Sequence, residues 1–133
     1  MCAELRIETI LIVEDEPIVR MTLAKLLADT GFNVLTAADG EEGIRAGSES
    51  SVDVLVTDLI MPRKSGWETI QTLRTATPGL PAIVMTALPE ERTADACDGA
   101  SGCYTRYVQK PVLFDDLLGI IREALSSSEA IPS

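Results

Sequence analysis

"TILIVEDEP", residues 9–17, sets five strand-forming residues against three consecutive acids and a proline. An apolar, β-branched run without polar alternation is what a strand buried on both faces requires. Glu14, Asp15 and Glu16 repel one another, so clustering them does not by itself stabilise a chain. They form either a solvated helix N-terminus, where negative charge is favoured, or a seat for something positive. Pro17 suits the first turn of a helix, and "PIVRMTLAKLLADTG" (17–31) continues with helical spacing, with Gly31 at its end. Ile18, Met21, Leu23, Leu26 and Leu27 are assigned to its apolar side.

The same alternation recurs along the chain. "FNVLTA" (32–37), "VDVLVT" (52–57), "LPAIVMT" (80–86) and "YVQ" (107–109) read as strands. "DGEEGIRAG" (39–47), "SGWETIQTLRTA" (65–76) and "VLFDDLLGIIREAL" (112–125) read as helices, with Ser65 as an N-cap. The polar "SSSEAIPS" (126–133) reads as a flexible tail after a domain over 1–125. Strands and helices that alternate, with the central strands apolar throughout, predict an α/β, doubly wound, five-stranded parallel sheet with helices on both faces. In such sheets the site lies at the carboxyl ends of the strands. Glu14, Asp15, Asp58, Thr86 and Lys110 each end or follow a strand, so they are expected to converge on one edge.

Composition narrows the chemistry. The chain has 133 residues, 46% of them hydrophobic, which suits one domain with a real core. A net charge of −10 argues against direct nucleic-acid or anionic-membrane binding and favours a cation or a basic partner. The chain contains no histidine, which excludes serine-histidine and cysteine-histidine catalysis and disfavours zinc. Cys2, Cys97 and Cys103 have no metal-like spacing and are read as inert. There is no signal peptide pattern and no membrane-length apolar stretch, so the expected location is the reducing cytoplasm.

Converging carboxylates are costly unless a cation joins them. Oxygen-only ligands select Mg²⁺ or Mn²⁺. A metal beside Lys110 and a threonine hydroxyl would also accommodate a phosphoryl group, for which a carboxylate oxygen can act as nucleophile. With "VEDEP" (13–17), "TDLIMPRKSG" (57–66), "MTA" (85–87) and "KP" (110–111) in this order at successive strand ends, the chain resembles the response-regulator receiver domains of bacterial two-component signalling, over about residues 8–125.

The resemblance implies the flavodoxin-like strand order 2-1-3-4-5. It implies that Asp58 accepts phosphate from the phosphohistidine of a histidine kinase or a histidine phosphotransfer protein. Asp15 and Asp58 would be direct metal ligands, Glu14 would act through water, and Ile60 would offer its backbone carbonyl. Thr86 and Lys110 would bind the phosphoryl oxygens. Tyr107, three residues before Lys110, would be the switch aromatic, and Tyr104 is the other aromatic considered for that role. The chain would be a population switch acting on a protein partner rather than an enzyme with a separate substrate. "PGLPAIVMTA" and "YVQKPV" look most like receivers associated with hybrid kinases.

Two other aspartate or phosphate chemistries fit the sequence less well. A haloacid-dehalogenase-like phosphatase would need a second aspartate where Ile60 stands. A flavodoxin-like electron carrier would need a phosphate-binding loop where "EDEP" would repel the cofactor. Two further expectations follow from the resemblance. Ile60 and Leu88, both apolar, should shield a long-lived acyl phosphate from water. The segment from 88 to 111, with "EERTADAC" (90–97) as its helical part, should hold a short, marginal helix, because Ala94, Ala96 and Cys97 bury little area.

Overall fold

A computed structural model describes residues 7–59, 65–87 and 104–129. Strands β1 (Thr9–Val13), β2 (Asn33–Ala37), β3 (Val54–Asp58), β4 (Ala82–Thr86) and β5 (Thr105–Gln109) form one sheet in the order β2-β1-β3-β4-β5, all pairs parallel. Helices α1 (Pro17–Thr30), α2 (Gly40–Glu49), α3 (Gly66–Ala76) and α4 (Phe114–Glu129) complete the described elements. Both the fold class and the strand order are as the sequence implied.

The strands' period of two divides the core between the two faces of the sheet. Ile10, Ile12, Val54, Val56, Ile83 and Met85 point to one face, where Leu23 and Leu27 of α1 and Leu117, Ile121 and Ala124 of α4 cover them. Leu11, Val13, Leu55, Ala82 and Val84 point to the other, against Ile70 and Leu73 of α3 and Ala46 of α2. β1, β3 and β4 are therefore apolar at nearly every position because each residue faces one core or the other.

Three local expectations are corrected. On α1, Leu23 and Leu27 are buried, but Ile18 is 74% exposed, Met21 65% and Leu26 37%. The row that meets the sheet runs through Val19, Leu23 and Leu27, at i, i+4 and i+8, and Ile18 and Met21 lie more than 100° around the helix from it. β5 is a full five-residue strand, two residues longer than "YVQ", because Ala82 to Thr86 pair with Thr105 to Gln109 along its whole length. α4 starts at Phe114 rather than 112 and continues to Glu129, beyond the expected end at Leu125. Once a helix is nucleated, adding a few serines costs little. Ile60, Leu88, the helical part at 90–97 and the three cysteines lie outside the described residues.

Cross-links between elements hold the site edge in register. Gly31 ends α1 in the left-handed region at φ 117°, and its N–H bonds the Ala28 carbonyl. Ser65 caps α3 reciprocally with Glu68. Arg74 of α3 donates from Nε to the Leu80 carbonyl (2.9 Å) and from Nη2 to the Tyr104 carbonyl (2.8 Å) and Thr105 Oγ1 (2.9 Å). It thus ties the approach to β4 to the start of edge strand β5. Arg74→Met should destabilise the fold by about 2 kcal/mol, since partly buried carbonyls lose charged donors. Denaturant titration measures this loss, and the amides of β5 should show the largest rise in hydrogen exchange.

Candidate functional site

The strands end together, so residues far apart in sequence meet at one edge. Asp58 closes β3 opposite Met85, and Thr86 closes β4 opposite Gln109. Ladder-type bonds continue past the strand ends: Glu14 N–H to the Ala37 carbonyl (3.1 Å), Leu59 N–H to the Met85 carbonyl (2.9 Å) and Lys110 N–H to the Thr86 carbonyl (2.8 Å). These bonds bring Glu14, Asp15, Asp58, Thr86 and Lys110 to one edge of the sheet.

Glu14 is fully buried, Asp58 is 5% exposed and Thr86 is 4% exposed. Lys110 Nζ lies 2.8 Å from Asp58 Oδ1 and 3.3 Å from Glu14 Oε1. Glu14 Oε2 accepts from the Glu16 N–H (3.0 Å), whereas buried Glu14 Oε1 has the Lys110 charge nearby but no hydrogen bond. One lysine thus faces two buried carboxylates, which leaves the pocket short of positive charge. Desolvation by burial, helped by the Glu14 charge, pushes the Asp58 carboxyl up to about 7 despite the Lys110 hydrogen bond. Burial lowers the Lys110 ammonium, but the hydrogen bond and charge of Asp58 and the charge of Glu14 outweigh it and hold it above its ordinary value.

Ligand atoms of Glu14, Asp15 and Asp58 lie within 4.8 Å of one another, with Asp15 on the exposed side. An oxygen-only set containing an orphaned buried carboxylate oxygen fits a hard divalent cation such as Mg²⁺. Ile60, whose carbonyl the resemblance adds to this set, is outside the described residues.

The switch candidate is also located. Tyr107 pairs with Val84 in the β4–β5 register and packs into the core beneath α3, with its Oη buried and unbonded among the described residues. Tyr104 precedes the strand, and its Oη donates to Glu123 Oε1 (2.9 Å), which also receives Arg106. Tyr107 and Thr86 share the wall of a cleft of about 550 Å³, with Gln109, Asp115 and Asp116.

Sequence reasoning did not identify two features. Lys110 bridges Glu14 as well as Asp58. Arg20 donates from Nη1 to the Glu14 carbonyl (2.9 Å). The only hint of the second was a basic residue one helical turn after the acidic run.

Comparison with known proteins identifies the family of the fold. The family model described as "Response regulator receiver domain" matches residues 10–122. The probable transcriptional regulatory protein TcrX of Mycobacterium tuberculosis is 32% identical over 88% of this chain and 49% of its own length. The transcriptional regulatory protein CusR of Escherichia coli is 33% identical over 92% of this chain and 53% of its own. The chain thus spans about half the length of these curated relatives. A receiver domain protein from Clostridium thermocellum superposes with a TM-score of 0.84 at 29% identity, covering 95% of this chain and 100% of that one. The receiver domain of the hybrid histidine kinase CckA superposes at 0.74 with 28% identity, covering 88% and 98%. Neither the phosphatase nor the electron-carrier alternative is favoured by these matches. With its five-stranded parallel fold, its acid-lined strand edge and a family match over most of its length, this chain belongs to the response regulator receiver domains and is a signalling module of two-component systems.

Proposed function

We propose that Asp58 is the phosphoacceptor of this module, and that its donor is the phosphohistidine of a histidine kinase or histidine phosphotransfer protein. The observation that carries this is a buried carboxylate at a strand end, 2.8 Å from a lysine ammonium and within ligand reach of two more carboxylates. An Asp58 carboxylate oxygen attacks phosphorus, the new P–O bond forms as the P–N bond breaks, and the imidazole nitrogen keeps the electron pair and takes a proton from solvent. Mg²⁺ or Mn²⁺, held by Asp15, Asp58 and the Ile60 carbonyl, with Glu14 acting through water, would neutralise phosphoryl oxygens. Lys110 would leave Asp58 Oδ1 to pair with a phosphoryl oxygen, and the Thr86 hydroxyl would donate to another. Movement of Thr86 would let the Tyr107 ring settle further inward, changing the surface that a protein partner reads. Turnover is self-directed, limited to uptake and loss of the chain's own phosphoryl group.

The proposed module is the domain expected over 1–125, whose last helix carries on to Glu129 into the expected tail, and it works in the cytoplasm. Among the described residues no helix is long and apolar enough to cross a membrane. A net charge of −10 disfavours contact with nucleic acid, and the direct partner proposed for this domain is a protein. The test is transfer from a phosphorylated kinase in the presence of Mg²⁺, read as an acid-stable, base-labile protein phosphate. Absence of transfer from every kinase and from small phosphodonors would overturn the reading.

The approach to Asp58 is rimmed by apolar area. Val19, Leu23, Met85, Pro111 and Val112 line a groove beside Lys110, and exposed Ile18, Met21 and Leu113 (67%) stand on the segments that flank it. A protein donor is expected to rest there. Ile18→Glu should slow transfer from a kinase by about tenfold, the size of an interface anchor's loss. Phosphorylation by a small phosphodonor should be unchanged; equal slowing with both donors would place the defect in the site instead.

A further inference from the structure

Among the described residues, two cations reach the acidic turn after β1, and they do so differently. Lys110 contacts carboxylates, so it must exchange partners when a cation or phosphoryl group enters. Arg20 contacts backbone: its Nη1 donates to the Glu14 carbonyl at 2.9 Å, a bond that the site's chemistry need not disturb. Arg20 is half-buried, and its backbone N–H donates to the Glu16 carbonyl (2.9 Å) in the first turn of α1.

That first turn lacks the usual support. Glu16 occupies the N-cap position without making a side-chain cap bond. The turn is pinned instead at three points: the Glu14 N–H on the Ala37 carbonyl, the Glu16 N–H on Glu14 Oε2, and the Glu14 carbonyl under the Arg20 guanidinium. Asp15 lies between these points and makes no hydrogen bond or ion pair of its own among the described residues. Its aim toward Glu14 and Asp58 is therefore set by the backbone that the neighbours hold.

We infer that Arg20 is a positioning residue for the divalent-cation site, clamping the Glu14 carbonyl so that the turn presents Asp15 and Glu14 to Asp58. The inference rests on the proposed reading that a divalent cation binds there. Two effects of Arg20 oppose each other. Its charge repels an incoming cation, so if charge alone mattered, removing it would tighten binding. Its hydrogen bond preorganises the ligands, so if positioning dominates, removing it weakens binding. The sign of the change separates the two.

The experiment is calorimetric titration of Mg²⁺ into wild type, Arg20→Lys, Arg20→Met and Arg20→Gln, at a temperature where circular dichroism shows each to be folded. Arg20→Met should bind Mg²⁺ about tenfold more weakly, the scale of losing a ligand-orienting partner. Arg20→Lys can still donate to the carbonyl and should stay within about threefold of wild type. Should Arg20→Met fold poorly, Arg20→Gln, which also removes the charge and shortens the reach, is expected to show the same tenfold loss. A charge-free variant that binds as tightly as wild type, or more tightly, overturns the inference, even if its melting temperature has fallen. Failure of wild type itself to bind Mg²⁺ would instead defeat the reading of the cation site, and the two failures are distinguished by that control.

Discussion

Asp58→Asn should abolish phosphorylation and, in metal-free buffer above pH 7, make the protein more stable than wild type. The first effect follows because an amide is not a nucleophile toward phosphorus, and the other carboxylate beside Lys110, that of Glu14, is fully buried. The second follows from burial. The folded state holds the Asp58 carboxyl at about 7, against 3.8 for the free group. A raised acid stabilises the fold fully below the lower value, and that contribution is lost as pH rises through the higher one. Between pH 4 and 7 wild type should therefore lose stability that the asparagine variant keeps. Above pH 7 the variant should gain on the order of 2 kcal/mol, less than the whole shift implies because Lys110 loses its charged partner. Thermal melts at pH 4.5 and pH 8 measure it: the gain should be large at pH 8 and small at pH 4.5. Mg²⁺ should narrow the difference by stabilising wild type. Continued phosphorylation of the variant would remove Asp58 from its role.

Gly66→Ala should be among the most damaging single-methyl changes in the chain. A Cβ built on Gly66 falls 2.1 Å from the backbone oxygen of Asp58 and 3.0 Å from Leu59 Cα. Those are backbone atoms, so no rotamer change relieves the clash. The Gly66 N–H meanwhile bonds the Leu59 carbonyl at 2.8 Å, which holds the start of α3 against the end of β3. Adding the methyl must either push α3 away, breaking that bond, or displace Asp58 itself. The expected cost is about 3 kcal/mol, at the upper end for overpacking because the obstacle is main chain. Phosphorylation should slow as well, because the acceptor's backbone is what moves. Urea unfolding and the rate of labelling by a small phosphodonor read the two effects. A variant with wild-type stability would show that the loop after Asp58 yields more easily than this contact allows.

How far the sequence can be read depends on how local the cause is. β1, β3 and β4 were legible because their apolar runs are buried on both faces, and local hydrophobic pattern alone distinguishes such strands. Glu14, Asp15, Asp58, Thr86 and Lys110 were legible as a group because each stands at or just past a strand end, and parallel strands carry those ends to one edge. Ser65 was legible as a cap because capping is decided within four residues.

The apolar face of α1 was read wrongly. Ile18 and Met21 count as hydrophobic in any window, and only the sheet's position shows that Val19, Leu23 and Leu27 meet it. Strand β5 looked weak because its residues are mixed in polarity and only half-buried or exposed on a sheet edge, and pairing with β4 rather than composition makes it a strand. The order of the strands came from likeness to a family, since periodicity is silent on which strands are neighbours.

The sequence by itself determined the fold class, the strand ends and the acids that gather there, because these follow from period and sequence position. Only the tertiary structure decided that Lys110 is shared between Asp58 and Glu14, that burial lifts the Asp58 carboxyl, that the Asp58 carbonyl leaves no room for a Cβ at Gly66, and that Arg20 bonds the Glu14 carbonyl. Each of these depends on distances of a few ångströms between residues brought together by packing. Such distances belong to the assembled sheet and helices, and no pattern along the chain encodes them locally.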